Sequence, residues 1–169
     1  MSYLFKAALM VALLALGACN NPDRFGAGGQ GGPDGIDSSG LGNPSDPQSV
    51  AYFQQTLGDR VFFAVNESTL SPEARATLAQ QAQWLQTNAG YAIIVEGHAD
   101  EQGTREYNLA LGARRASAAE SFLASQGVAS NRMRTVSYGK ERPIAVCSTE
   151  ECYSQNRRAV TVLSLGAGS

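Results

Sequence analysis

Apolar residues recur along this chain with two periods, one near 2 and one near 3.6, and the two alternate from about position 60 to about position 165. Val61-Phe62-Phe63-Ala64-Val65, with Asp59 before it and Asn66 after, predicts a strand. Ser71-Pro72-Glu73 then supplies an N-cap, a proline at the first helical position and an acid in the first turn. Leu78, Ala82 and Leu85 form the inner face of that helix, and Asn88-Ala89-Gly90 supplies its stop. Tyr91 to Gly97 holds Ile93-Ile94-Val95, apolar on both faces, as expected of a central strand covered by helices. Thr104 can cap a second helix running to Gln126-Gly127. Met133 to Tyr138 and Ala159 to Leu165 alternate as strands, with an arginine-rich loop over 140–158 between them. A short helix over Val50 to Leu57 precedes the first strand, so the expected order is a helix followed by βαβαββ. There is no internal repeat.

One residue breaks the pattern of the second helix. At 100° per residue and with Leu111 as zero, Phe122 falls at about 20°, Ala118 at about 340° and Tyr107 at about 320°. Arg115 falls at about 40°, inside that apolar stripe. An arginine there buries its stem and loses hydration unless something anionic meets its guanidinium. Asp100 lies in the loop ahead of the helix, fifteen residues earlier. An acid and an arginine facing one pocket can hold a group that is both ammonium and carboxylate. If the helix begins at Thr104, Arg115 lies about 16 Å along it. The loop 99–103 must then fold back along the helix for the two to share a ligand.

The N-terminus reads as a targeting segment. Lys6 is followed by the apolar run Ala7 to Leu16 and then Leu16-Gly17-Ala18-Cys19, too short to span a bilayer comfortably. Residues 1–18 are expected to be a signal peptide, and the motif around Cys19 resembles a bacterial lipobox, which implies that Cys19 is lipidated. Several acyl chains anchor stably where one would not, at about 0.8 kcal/mol per buried CH₂. Asn20 behind Cys19, with no aspartate to retain it, implies sorting to the outer membrane. Residues 20–50 hold eight glycines and four prolines with almost no large apolar side chain. They are expected to be a flexible linker, spanning roughly 30 Å as a coil and roughly 100 Å extended. The remaining residues, 51–169, suit one domain.

Charge removes one class of partner. Without residues 1–18 the chain carries 12 basic and 15 acidic groups, net −3. No excess of cations is available to displace counterions, so nucleic acid is not expected. The pairs Arg114-Arg115 and Arg157-Arg158 are better read as site or surface features. Export favours a disulfide between Cys147 and Cys152, worth about 2 kcal/mol at most for so short a loop. A metal site is the competing reading, weak with two cysteines and no nearby histidine. His98 is the only histidine; as a strand-end residue it is expected to hydrogen-bond a neighbouring loop rather than to act as a base or metal ligand. No second histidine supports it, Ser137 lacks a nucleophile-elbow context, and no cofactor is implied. Asp100-Glu101 could suggest glycosidase chemistry, but adjacent loop residues seldom straddle one glycosidic bond. An enzyme is not expected.

Gly97-His98-Ala99-Asp100-Glu101, Gly103-Thr104-Arg105, Tyr107-Asn108, Leu111 and Arg115-Ala116 form an ordered series of motifs. Ser137-Tyr138-Gly139-Lys140-Glu141-Arg142-Pro143 and Asn156-Arg157-Arg158-Ala159-Val160 continue it. Together they resemble the OmpA-like peptidoglycan-binding domain, in the form carried by peptidoglycan-associated lipoproteins, over roughly Asp59 to Leu165. The resemblance implies an α/β sandwich with helices packed on one mixed sheet. It implies noncovalent binding of the peptidoglycan stem peptide through the zwitterionic end of diaminopimelate. Asp100 would take the ammonium and Arg115 the carboxylate, with Asn108 and Leu111 as polar and apolar walls of the pocket. The plainer alternatives to a ligand role are a turn-forming, helix-capping acid for Asp100 and an ion pair with Asp100 in the empty domain for Arg115. The family often carries a cysteine pair where Cys147 and Cys152 stand. It further implies a place in the Tol–Pal system, with TolB binding a surface that overlaps the wall site, and roles in envelope integrity and division. A wall-binding lipoprotein outside that system, or a module that binds only protein, are the other readings. Two positions depart from the family pattern: Gln102 where arginine is usual, and Ala64 where aspartate or glycine is common.

Overall fold

The computed structural model describes residues 41–165. The expected signal segment 1–18, Cys19 and most of the expected linker lie outside the described residues. Among the described residues no helix is long and apolar enough to cross a membrane.

The packed unit starts earlier than position 51. Asp46 N donates to Asn43 O and Ser49 N to Asp46 O, both at 3.0 Å, so 43–49 form consecutive turns. The Ser49 hydroxyl then accepts from Tyr52 N and caps α1 (Val50–Tyr52), which widens into a π turn over Phe53–Gly58. Trp84 Nε1 donates to Pro47 O at 2.6 Å, tying the turns to the next helix. Asn43, Pro44, Asp46 and Pro47 are turn formers, and here their backbone groups find partners inside the unit.

β1 (Arg60–Phe62), α2 (Pro72–Thr87), β2 (Tyr91–His98), α3 (Arg105–Ser125), β3 (Met133–Gly139), α4 (Glu150–Asn156) and β4 (Arg158–Leu165) follow. The strands form one mixed sheet in the order β1-β4-β2-β3, with β4 antiparallel to both neighbours and β2 parallel to β3. The parallel pair needs a crossover, which α3 supplies. Ser71 caps α2 by accepting from Ala74 N, and Thr104 caps α3 by accepting from Tyr107 N. Both helices stop near their expected ends, and Gly127 follows α3 with φ of 98°. Leu78, Ala82 and Leu85 of α2 meet Ile93 and Val95 of β2, Val61 of β1 and Ala116, Ala119 and Leu123 of α3 in one core. The α/β sandwich with helices on a mixed sheet is borne out. Ile94, on the opposite face of β2 from Ile93 and Val95, is only half-buried.

Three local expectations differ. Strand β1 ends at Phe62 rather than Val65, because the chain turns at Ala64–Glu67 and Asn66 takes a φ of 57°. The 140–158 connection contains α4, whose seven residues are too few to show a period. A Cys147–Cys152 disulfide and Asn156, which accepts from Ile144 N and Ala145 N, close that connection into a compact loop. The buried face of α3 is Asn108, Leu111, Gly112, Arg115, Ala116, Ala119 and Leu123, centred about 80° round the helix from the expected stripe. Phe122 and Ala118 lie at its border, and Tyr107 is exposed. The physical reason is close approach. A Cβ on Gly97 would stand 1.8 Å from Gly112 O, so at the crossing itself small residues, not large apolar ones, face the sheet.

Candidate functional site

At the C-terminal end of β2 the chain enters a loop that folds back on α3. Ala99 N donates to Gly139 O at 2.8 Å, and Gln102 N donates to Asp100 Oδ1 at 3.2 Å in an Asx turn. Gly103 has φ of 95°, a conformation that L side chains rarely adopt. Asn108 Nδ2 then donates to Gln102 O at 2.9 Å, and Lys140 Nζ donates to Gly103 O at 2.8 Å. These bonds carry the loop back along the helix, as a shared site requires.

Arg115 is 0 % exposed. Its Nε donates to Glu67 O at 2.8 Å, Nη1 to His98 O at 2.9 Å and Nη2 to Ala64 O at 3.1 Å. Its guanidinium also lies over the Phe63 ring, 5.2 Å from the centroid. The early turn after β1 thus presents the carbonyls that receive the arginine. These bonds use three of five N–H donors and no carboxylate oxygen. Desolvation pushes the Arg115 pKa down to about 10; Asp100 acts against that shift, and repulsion from Arg157 adds to it.

Asp100 is 6 % exposed, and its Oδ2 accepts from Arg157 Nη1 at 3.1 Å. The alternative, an ion pair between Asp100 and Arg115, is not formed, because Arg115 spends its fork on backbone carbonyls and Arg157 approaches from the α4–β4 junction. Arg157 is itself buried; its Nε donates to Phe63 O at 3.2 Å and its Nη atoms reach both carboxylate oxygens of Glu150. Desolvation opposes the Arg157 charge, yet its bonds to Glu150 and Asp100 outweigh that and raise its pKa. Glu150, mostly exposed, is held below the usual carboxylate range by the same bond. Asn108 and Leu111 are both buried on α3, and among the described residues Asn108 Oδ1 has no hydrogen-bond partner. Tyr107 OH donates to Asn66 Oδ1 at 3.2 Å.

The sequence marked Asp100, Asn108, Leu111 and Arg115; the fold ties Asp100, Asn108 and Arg115 to the 98–102 segment, and Leu111 is buried on the same face of α3. Arg157 is visible in the sequence as half of an arginine pair read as a site or surface feature, and within the motif Asn156 to Val160, but with no specific partner. Glu150 was missed; its signal is its spacing of seven from Arg157, two helical turns on one face. His98 corrects another expectation. Its ring is buried and stacked on Tyr138 with centroids 5.5 Å apart, and neither nitrogen is hydrogen-bonded among the described residues. Glu96 Oε2 lies 3.5 Å from Nε2, but burial first, and then Arg158, Arg142 and Arg60, push the His98 pKa down to about 4, so the ring is neutral. The backbone carbonyl of His98, not its ring, serves the site. One acid, two buried arginines and an open amide oxygen can hold a charged ligand.

The profile of the OmpA family matches residues 62–157. The chain is 53% identical over 166 residues to the peptidoglycan-associated lipoprotein of Mesorhizobium japonicum, covering 95% of this chain and 91% of the relative. It is 57% identical over 137 residues to that of Brucella melitensis, covering 80% and 81%. Among solved structures, the peptidoglycan-associated lipoprotein of Burkholderia pseudomallei superposes with a TM-score of 0.64 at 37% identity, over 72% of this chain and 100% of that one. The C-terminal domain of Helicobacter pylori MotB shares the fold, with a TM-score of 0.60 at 24% identity, over 64% of this chain and 86% of that one. With the profile matching more than half of the chain, and relatives of this identity along most of it, the chain belongs to the OmpA family, among the peptidoglycan-associated lipoproteins.

Proposed function

We propose that this chain tethers the outer membrane to the cell wall by gripping the diaminopimelate end of the peptidoglycan stem peptide. The observation that carries this is the state of Arg115: a charged, fully buried guanidinium with spare donors and, among the described residues, no carboxylate bonded to it, in the field of Asp100. A ligand carboxylate restores the field that burial removed, and Asp100 with the open Asn108 Oδ1 accepts from the ammonium. Both side chains are closed off from solvent, so binding loosens the Asp100–Arg157 pair, and Arg157 becomes a second cation for the ligand. Leu111 supplies an apolar wall. Nothing in this constellation pairs a nucleophile with a base, so the action is holding rather than cleavage. The relatives' name supports the wall as partner.

Acyl chains on Cys19 hold the other end in the outer membrane, with the domain in the periplasm and the linker between them. The finer reading we propose is a Tol–Pal component whose TolB-binding surface overlaps the wall site, supporting envelope integrity and constriction in division; the family resemblance supports it.

The test is pelleting of the full chain with isolated peptidoglycan sacculi, beside Asp100→Asn and Arg115→Lys, each checked for folding by thermal melt. Wild type is expected in the pellet and both folded variants in the supernatant. Wild type that stays in the supernatant, or variants that pellet equally well, would overturn the clamp. Pull-down with TolB then separates the Tol component from a wall binder outside that system.

A further inference from the structure

A groove of about 380 Å³ opens at the other end of the sheet from Asp100, between the N-terminal turns, α1 and α2. That volume falls within the range of small-molecule sites, about 300–1,000 Å³. Its walls are unlike the clamp, because no charged residue lines it among the described residues. Gln80, Gln83, Thr87 and Asn88 line one side in helical register, and Tyr52 and Trp84 form an aromatic wall. Gln80 and Gln83 are exposed, and among the described residues their amides carry no hydrogen bond. Trp84 is wedged between Phe53 and Tyr91, with centroids 5.0 and 5.5 Å away, and its indole N–H is held by Pro47 O. A rigid aromatic edge beside free carboxamides suits a neutral ligand with an apolar ring face and many hydroxyl and amide groups.

We infer that this groove is a subsite for the N-acetylated sugars of the wall glycan, separate from the peptide clamp. The inference rests on the wall-binding reading. The two sites lie near opposite ends of the eight-residue β2, about 25 Å apart along the strand. One polymer bearing both ligands is then held at two points, and each weak contact raises the effective concentration of the other.

Trp84 is the only tryptophan, so its emission reports on the groove. The experiment titrates the full chain, in a sugar-free detergent, with chitotetraose, a soluble N-acetylglucosamine tetramer that carries no peptide. A saturable change in Trp84 emission is expected, and cellotetraose, which lacks the acetamido groups, should give a weaker one. A Gln80→Ala/Gln83→Ala chain should bind about tenfold more weakly or worse, as expected for two lost hydrogen bonds. Both changes are to a stronger helix former at exposed positions, so folding is retained. Asp100→Asn should titrate like wild type, since the tetramer offers nothing to the clamp. No saturable change, an unaltered response in the double variant, or a response lost in Asp100→Asn would each overturn the groove as the sugar site. A wild-type chain that still pellets with sacculi while failing the titration would overturn the groove alone. Loss of pelleting with the titration intact would instead overturn the diaminopimelate clamp.

Discussion

Arg115 is the largest fully buried side chain among the described residues, and its placement makes sense only through its partners. A guanidinium taken out of water costs several kcal/mol unless its donors are met. Three backbone carbonyls meet some of them, and what they lack is formal negative charge. His98 shows the opposite solution: a titratable group kept neutral. Its pKa of about 4 lies below the ordinary histidine value, so between pH 6.5 and 4 the unfolded chain takes up a proton that the native state refuses. Native stability therefore falls as pH drops through that window, by on the order of 3 kcal/mol from this residue. His98→Phe keeps the stack on Tyr138 and removes the titration. Urea midpoints from pH 7 to 4 should fall less in the variant than in wild type; an identical fall would assign the acid sensitivity to carboxylates instead. Position 115 stood out in the sequence because its charge contradicts the helical stripe around it. Arg157 carried no such contradiction, and only its ion pairs reveal it.

Elements reach their positions through a few backbone contacts that restrict side chains. The β2–α3 crossing is the tightest, with Gly97 against Gly112 and Ser137 Oγ donating to Leu109 O at 2.7 Å. That crossing sets the rotation of α3 and hence aims Arg115 at the 63–67 turn. Gly97→Ala adds a Cβ into backbone rather than into a flexible side chain, so the helix must lift from the sheet. The expected cost is about 3 kcal/mol or more, read as a lower urea midpoint. A midpoint within error of wild type would mean that the crossing has slack. Caps at Ser71 and Thr104 were legible because a hydroxyl before a helical period has a local job. The rotation of α3 was not, because hydrophobicity ranks Tyr107 and Phe122 above Gly112 and Ala116, whereas close packing ranks them the other way.

At the scale of the whole molecule, residues 41–50 join the packed unit although their composition is that of a linker. A chain starting at residue 51 loses the Ser49 cap on α1 and the Pro47 carbonyl that receives Trp84. It should be about 2 kcal/mol less stable than one starting at residue 41, with Trp84 emission shifted to the red. Equal urea midpoints and equal emission would put the folding boundary at 51. The sequence by itself determined the two helices with their caps, the central strand and the α/β class, and it singled out Asp100 and Arg115 as candidates. Each of these rests on local periodicity, on short-range hydrogen bonds or on a charge out of place. The tertiary structure alone decided that Asp100 pairs with Arg157, that Glu150 reaches Arg157 from the disulfide-closed loop, and that Arg115 is met by carbonyls 17 to 51 residues away. Those contacts depend on the register of four strands and on one glycine–glycine crossing, and no local pattern records which distant backbone oxygen will face a given side chain.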